Sequence, residues 1–145
     1  MNIPFHKPHI TQDEIDSVIK AMKSGWLTMG PKTMEFEKQF KNYIGESFSI
    51  SMSSATAALH LALNAIGLGK NDEVIIPTNT FVATAESILY SEGKPILCDI
   101  NKENHNLDVN LIENLITSKT KAIIPVHYGG NPCDMDSILE IGKDN

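Results

Sequence analysis

Ser53-Ser54-Ala55-Thr56-Ala57 places hydroxyls and small side chains where an apolar strand pattern gives way to a helical one. At such a junction several free backbone N–H groups converge on an anion, and the helix dipole favours the negative charge. The same residues also serve as a helix N-cap followed by small side chains that allow close packing, so capping and anion binding are both open. The chain has neither G-x-G-x-x-G nor G-x-x-x-x-G-K-[ST], which removes support for a dinucleotide site or a P-loop. Phe81 opens the next helical segment and either offers an aromatic face to a planar ligand or fills a core. His127, at the end of an apolar run, is either a general acid or base or a hydrogen-bonded structural residue. His6, His9, His60 and His105 show no ligand spacing. Cys98 and Cys133 are 35 positions apart with no Cys-x-x-Cys, so neither a metal site nor a disulfide framework is expected.

Two kinds of element must position these residues. Thr11-Gln12-Asp13-Glu14 reads as a capping box, followed by Ile15, Val18, Ile19 and Met22 at helical spacing and by Gly25 as a stop. Trp26-Leu27-Thr28-Met29-Gly30-Pro31 is an apolar loop with the only tryptophan, which either contacts a ligand or partner or tucks into its own core. Phe36, Phe40, Tyr43 and Ile44 mark a second helix ended by Gly45. Beyond them the pattern predicts strands over 48–52, 73–76, 96–100 and 121–126. Helices are predicted over 55–66, 80–92 (stopped by Gly93), 109–117 (capped by Asp108) and 135–143. Strands separated by helices indicate βαβ units and a mostly parallel sheet. Val74-Ile75-Ile76 and Ala122-Ile123-Ile124 are continuous apolar runs, as expected when both sheet faces are covered. Ligands of such sheets bind at the carboxyl ends of the strands, here Ser53 to Thr56, Pro77 to Phe81, Asp99, and His127 to Gly130.

The chain has 145 residues and a mass of 16.0 kDa, enough for one core. Hydrophobic residues make up 41%, charged residues 21%, and the mean hydropathy is -0.13, which excludes disordered and fibrous classes. A net charge of -6 has the wrong sign for a generic nucleic-acid or anionic-membrane binder. All twelve basic residues are lysines. Without arginine, any bound anion must be held by backbone N–H groups, hydroxyls or lysine. No apolar run approaches the ~18 residues of a membrane span, and the N-terminus has no signal-type apolar region. A soluble, cytoplasmic protein is expected.

Several segments occur in a particular order: Ile3-Pro4, Gly25 to Pro31, Phe36-Glu37, Ser53-Ser54-Ala55-Thr56-Ala57-Ala58-Leu59-His60 and Asp72 to Pro77. Thr80-Phe81-Val82-Ala83-Thr84, Asp99-Ile100, Val126-His127, Gly130 and Asp134-Met135-Asp136 follow. In this order and spacing the chain resembles the N-terminal part of the pyridoxal-phosphate-dependent nucleotide-sugar aminotransferases of the DegT/StrS type. The resemblance implies an α/β fold, the N-terminal portion of a type I aminotransferase large domain. In it, helices over 11–44 precede βα units over 48–143, a mostly parallel sheet has flanking helices, and the small C-terminal domain is absent.

It also implies a partial site for pyridoxal 5'-phosphate. The phosphate would lie on the amides of Ala55, Thr56 and Ala57, assisted by the hydroxyl of Ser54 or Thr56, and Phe81 would stack on the pyridine ring. Trp26, Thr28 and Gly30 would lie on the substrate side. In the family, the Schiff-base lysine, the pyridinium-paired aspartate and a neighbouring glutamine lie beyond the position of Asn145, so the resemblance assigns no catalytic residue here. A complete relative would aminate a nucleotide-linked keto sugar, with glutamate as amino donor, for a polysaccharide or other glycoconjugate. The chain alone is expected to be inactive, and to associate through an unpaired sheet edge or as a homodimer or partner of a longer chain. Two other readings stand beside this one: a non-catalytic partner of a full-length aminotransferase, and an α/β domain for another phosphorylated ligand.

Overall fold

The computed structural model describes residues 3, 4 and 6–144. By its contacts the chain divides into two units, Met1–Ser51 and Met52–Asn145.

The first unit consists of two helices and the segments that flank them. In α1 (Gln12–Lys23) the predicted capping box is formed: the Glu14 carboxylate accepts from the Thr11 N–H and hydroxyl. Asp13 and Glu14 in the first turn and Lys20 and Lys23 in the last complement the helix dipole, and Gly25 follows with φ 74°. In α2 (Pro31–Ile44) proline occupies the first turn, where its missing N–H costs nothing, and Gly45 closes the helix with φ 84°. Of this unit's described residues only Gly30 is buried. The apolar stripe Ile15, Val18, Ile19 and Met22 is therefore exposed, as are Phe36, Phe40, Tyr43 and Ile44.

The expected strand over 48–52 is not formed. A strand requires a partner backbone, and this segment has none among the described residues. Its tether is instead the Glu37 carboxylate, which accepts from the Ser51 N–H and hydroxyl at 2.8 Å each. These two donors hold the Glu37 carboxyl below its ordinary pKa, the N–H having the larger effect.

The second unit is an α/β layer with a parallel sheet. Its elements are α3 (Ala55–Ala65), β1 (Glu73–Pro77), α4 (Val82–Tyr90), β2 (Lys94–Cys98), α5 (Val109–Ile112) with a 3₁₀ turn (Glu113–Leu115), β3 (Thr120–Ile123) and α6 (Met135–Asp144). The strand order is β2-β1-β3, with both pairings parallel, and Ile75 stands in register with Ile96 and Ile123. Alternate residues of the central strand point to opposite faces. Ile75 packs with Cys98, Leu107, Ile112, Cys133 and Ile138, whereas Val74 and Ile76 pack with Leu63, Leu68 and Ile88. That double burial is why β1 reads as an unbroken apolar run.

Several predicted boundaries are corrected by local bonding. Lys94 N–H donates to Asp72 O at 2.8 Å, which starts β2 two residues earlier than expected, and Ile100 makes an isolated antiparallel bridge with Leu107. The helix expected over 109–117 is short because Thr117 belongs to a turn, with its N–H on the Thr120 hydroxyl at 2.9 Å and Thr120 N–H on its carbonyl at 3.0 Å. Asp108 caps α5 as predicted. The left-handed residue after α4 is Glu92 (φ 59°), and Gly93 is needed for space: a Cβ there would lie 2.9 Å from Leu68 Cδ2. At the amino end of the sheet, buried Glu73 accepts from Thr117 Oγ1 at 2.7 Å and Lys94 Nζ at 3.3 Å, which ties three segments together.

Candidate functional site

α4 follows β1 and α3 precedes it through a short turn, so both helices run antiparallel to that strand and direct their N-termini to its carboxyl end. The helices pack on each other, and the Ser91 hydroxyl, at the end of α4, donates to Asn64 Oδ1 near the end of α3 at 2.9 Å. Ser54 and Phe81, the two N-caps, therefore belong to the same edge of the sheet.

At α3 the backbone of Ser54 is extended, and its hydroxyl accepts from the Ala57 N–H at 3.1 Å. The cap predicted from sequence is thus real, and it commits the Ala57 amide. The N–H groups of Ala55 and Thr56 have no acceptor among the described residues, nor does the Thr56 hydroxyl. The chemistry of this donor set, two parallel N–H groups at the positive end of an eleven-residue helix beside a free hydroxyl, suits a phosphate or other oxyanion.

Phe81 is 75% exposed in this chain, its ring not packed into the core of the described residues. Behind it, the Thr80 and Thr84 hydroxyls bond each other at 2.7 Å. The Thr78 hydroxyl donates to Asp99 Oδ1 at 3.3 Å, and the same oxygen accepts from Ile100 N–H at 2.8 Å, so Asp99 is engaged in joining the ends of β1 and β2. His127 lies beyond β3 and is exposed, its Nδ1 accepting from Cys133 N–H at 3.0 Å.

The cysteines are buried and free, and burial pushes both thiols above their ordinary pKa. They are core residues rather than nucleophiles. Among the described residues no group of three His, Cys, Asp or Glu side chains forms a metal site, and no helix is long and apolar enough to cross a membrane.

In the first unit, Trp26, Thr28 and Gly30 line one cavity of about 260 Å³ together with Lys20, Ser24 and Lys32. Trp26 Nε1–H donates to Met29 O at 2.8 Å, which curls the loop over itself, while Leu27 and Met29 project outward. Gly30 is the buried floor: a Cβ there would overlap the Trp26 indole. Gly30→Ala is therefore expected to expel the indole and break its bond to Met29. Because Trp26 is the sole tryptophan, emission would shift to the red with the helical signal kept; an unchanged emission spectrum would refute the packing.

Asn106 belongs to no motif, yet it organises the loop after β3. It is 2% exposed, and its carboxamide spans the 127–133 loop. The only sequence signal was the asparagine-rich stretch around it, which reads as turn-forming.

A family model for DegT/DnrJ/EryC1/StrS aminotransferases matches residues 8–145. Among curated relatives, the uncharacterized protein MJ1066 of Methanocaldococcus jannaschii is 52% identical over 98% of this chain and 37% of its own length. The spore coat polysaccharide biosynthesis protein SpsC of Bacillus subtilis is 41% identical over 99% of this chain and 37% of its own length. The UDP-4-amino-4-deoxy-L-arabinose–oxoglutarate aminotransferase of Shewanella sediminis is 43% identical over 97% and 36%, respectively. Among solved structures, the sugar-aminotransferase candidate Spr1654 of Streptococcus pneumoniae, known in PMP, PLP and apo forms, superposes with a TM-score of 0.94 at 40% identity. That match covers 97% of this chain and, for the PMP form, 36% of the Spr1654 chain. The chain thus spans little more than a third of the length of the relatives it matches, and corresponds to their N-terminal part. With the matched model covering nearly every residue and the α/β architecture agreeing, the chain belongs to the DegT/DnrJ/EryC1/StrS aminotransferase family.

Proposed function

We propose that this chain forms the N-terminal part of the cofactor-binding domain of an enzyme that transfers an amino group from glutamate to a nucleotide-linked keto sugar, for polysaccharide or glycoconjugate synthesis in the cytoplasm. The observation that carries this reading is the pair of uncommitted N–H groups of Ala55 and Thr56 on the same sheet edge as the exposed ring of Phe81. One end of that arrangement suits a phosphate, the other a flat heterocycle. Pyridoxal phosphate, when bound, supplies the electron-withdrawing ring that makes the carbon next to the amino group acidic.

The chain's own residues then act as a holder. Ala55, Thr56 and the Thr56 hydroxyl bind the phosphate, Ser54 keeps the first turn of α3 in place through Ala57, and Phe81 sets the plane of the ring. Trp26, Thr28 and Gly30 shape a cavity for the substrate. The carboxyl-end turns 53–57, 77–81 and 127–130 contain no lysine, so the 145-residue chain has no amine there to bond the cofactor and by itself turns over no substrate. The exposed apolar faces of α1 and α2 favour burial in an assembly with a second copy or a longer subunit.

Adding pyridoxal phosphate to the purified chain is expected to raise its unfolding midpoint, with no amination of a UDP-linked keto sugar. A midpoint indifferent to the cofactor would overturn the binding assignment; turnover by the chain alone would overturn its inactivity.

A further inference from the structure

The loop that carries His127 is built around a single buried carboxamide. Asn106 Nδ2 donates to Asn131 O at 3.1 Å and Pro132 O at 3.0 Å, and Oδ1 accepts from Tyr128 N–H at 2.9 Å. Both donors and one of the two acceptor lone pairs of the amide group are thereby spent on one segment. Asn106 is itself fixed: its N–H donates to Asn104 Oδ1 at 3.0 Å, and its carbonyl accepts from Asn101 N–H at 2.8 Å.

Within the loop, Gly130 N–H donates to His127 O and Asn131 N–H to Tyr128 O, both at 3.0 Å, while Gly129 and Gly130 take the left-handed φ values of 61° and 84°. The result aims the Cys133 N–H at His127 Nδ1, 3.0 Å away. A ring nitrogen that accepts a hydrogen bond carries no proton, so the proton of the neutral imidazole is on Nε2. Nε2 has no partner among the described residues, and the ring is exposed at the carboxyl end of the sheet.

We propose that Asn106 is a positioning residue: by shaping the 127–133 loop it fixes His127 as the Nε2–H tautomer, a preset hydrogen-bond donor to an oxygen of the ligand bound at this edge. The inference rests on the reading of this edge as a ligand site. The recognised chemistry is an anionic oxygen, from either the cofactor or the diphosphate of the sugar nucleotide.

Nitrogen-15 NMR of the histidine rings in the full chain tests it, with pyridoxal phosphate and UDP added in separate arms. The free protein is expected to show a pyridine-type signal at Nδ1 and a pyrrole-type signal at Nε2 of His127. One of the two probes moves the Nε2 signal and thereby names the source of the oxygen. Asn106→Asp keeps an acceptor for Tyr128 but sets a carboxylate oxygen against the carbonyls of Asn131 and Pro132, so the tautomers are expected to mix and that probe to bind about tenfold more weakly. His127→Phe removes this donor together with the acceptor of the Cys133 N–H, and is expected to weaken the same probe by a similar factor.

If the probes shift the Ala55 and Thr56 amides but not His127, this inference fails while the cofactor reading stands. If neither site responds, both fail. A lowered melting point in Asn106→Asp with an unchanged tautomer and unchanged affinity would reduce Asn106 to a purely structural residue and overturn the proposal.

Discussion

Ala55→Pro is expected to weaken pyridoxal-phosphate binding at least about tenfold while leaving the fold in place. Ala55 is the first residue of α3, the position where proline is best tolerated because its N–H has no helical acceptor. The residue before a proline must be extended, and Ser54 already is, with φ -161° and ψ 159°. The substitution therefore deletes one N–H, a group that nothing in the described chain uses. A hydrogen bond to a charged acceptor contributes about 1.5–3 kcal/mol, so losing one costs about an order of magnitude or more in affinity.

Two titrations separate this from general damage. Binding of pyridoxal phosphate should fall, whereas pyridoxal, which has the ring but not the phosphate, should bind as before. Equal affinity of the variant and the parent for the phosphorylated form would show that the phosphate is not held at this turn.

The largest effect on stability is expected at Ile75. It is fully buried at the centre of the middle strand, between Ile96 and Ile123 in register and against Cys98, Leu107 and Ile112. Strands on both sides fix the backbone, so a cavity left by Ile75→Ala has little room to collapse. The cost is expected at about 2–5 kcal/mol. Against a total stability of about 5–15 kcal/mol for a small domain, this lowers the melting point by ~10 °C or more or leaves the chain unfolded at room temperature. Leu97→Ala on the exposed edge strand β2 is the control, expected to cost no more than about 0.5 kcal/mol because Leu97 is 60% exposed. Similar losses for the two variants in chemical denaturation would contradict the assignment of the core.

Much of the architecture was legible before any coordinates. The capping box at Thr11 and Glu14, the glycine stops at 25 and 45 and the Asp108 cap are local hydrogen-bonding or backbone requirements, so residue types announce them. The parallel sheet was legible because β1 is buried on both faces and its side chains show it. The strand expected over 48–52 failed for the opposite reason. Its residues have strand character, but pairing is a property of a neighbour, and the described chain supplies none there. The short α5 failed because the turn from Thr117 to Thr120 competes for the same residues, a contest that helical periodicity does not register.

The site divides along the same line. Residue types at the strand-to-helix junctions were enough to predict the cap at Ser54 and an aromatic residue at the start of the next helix, Phe81. Tertiary structure decided that the Ser54 hydroxyl takes the Ala57 amide and leaves Ala55 and Thr56 free, and that Phe81 is exposed rather than buried. It also decided that Gly30 is the floor under Trp26, and that one buried asparagine holds the loop and ring of His127. A sequence states which groups can donate, accept or pack. Only the fold determines which of them have already found partners and which are left for a ligand.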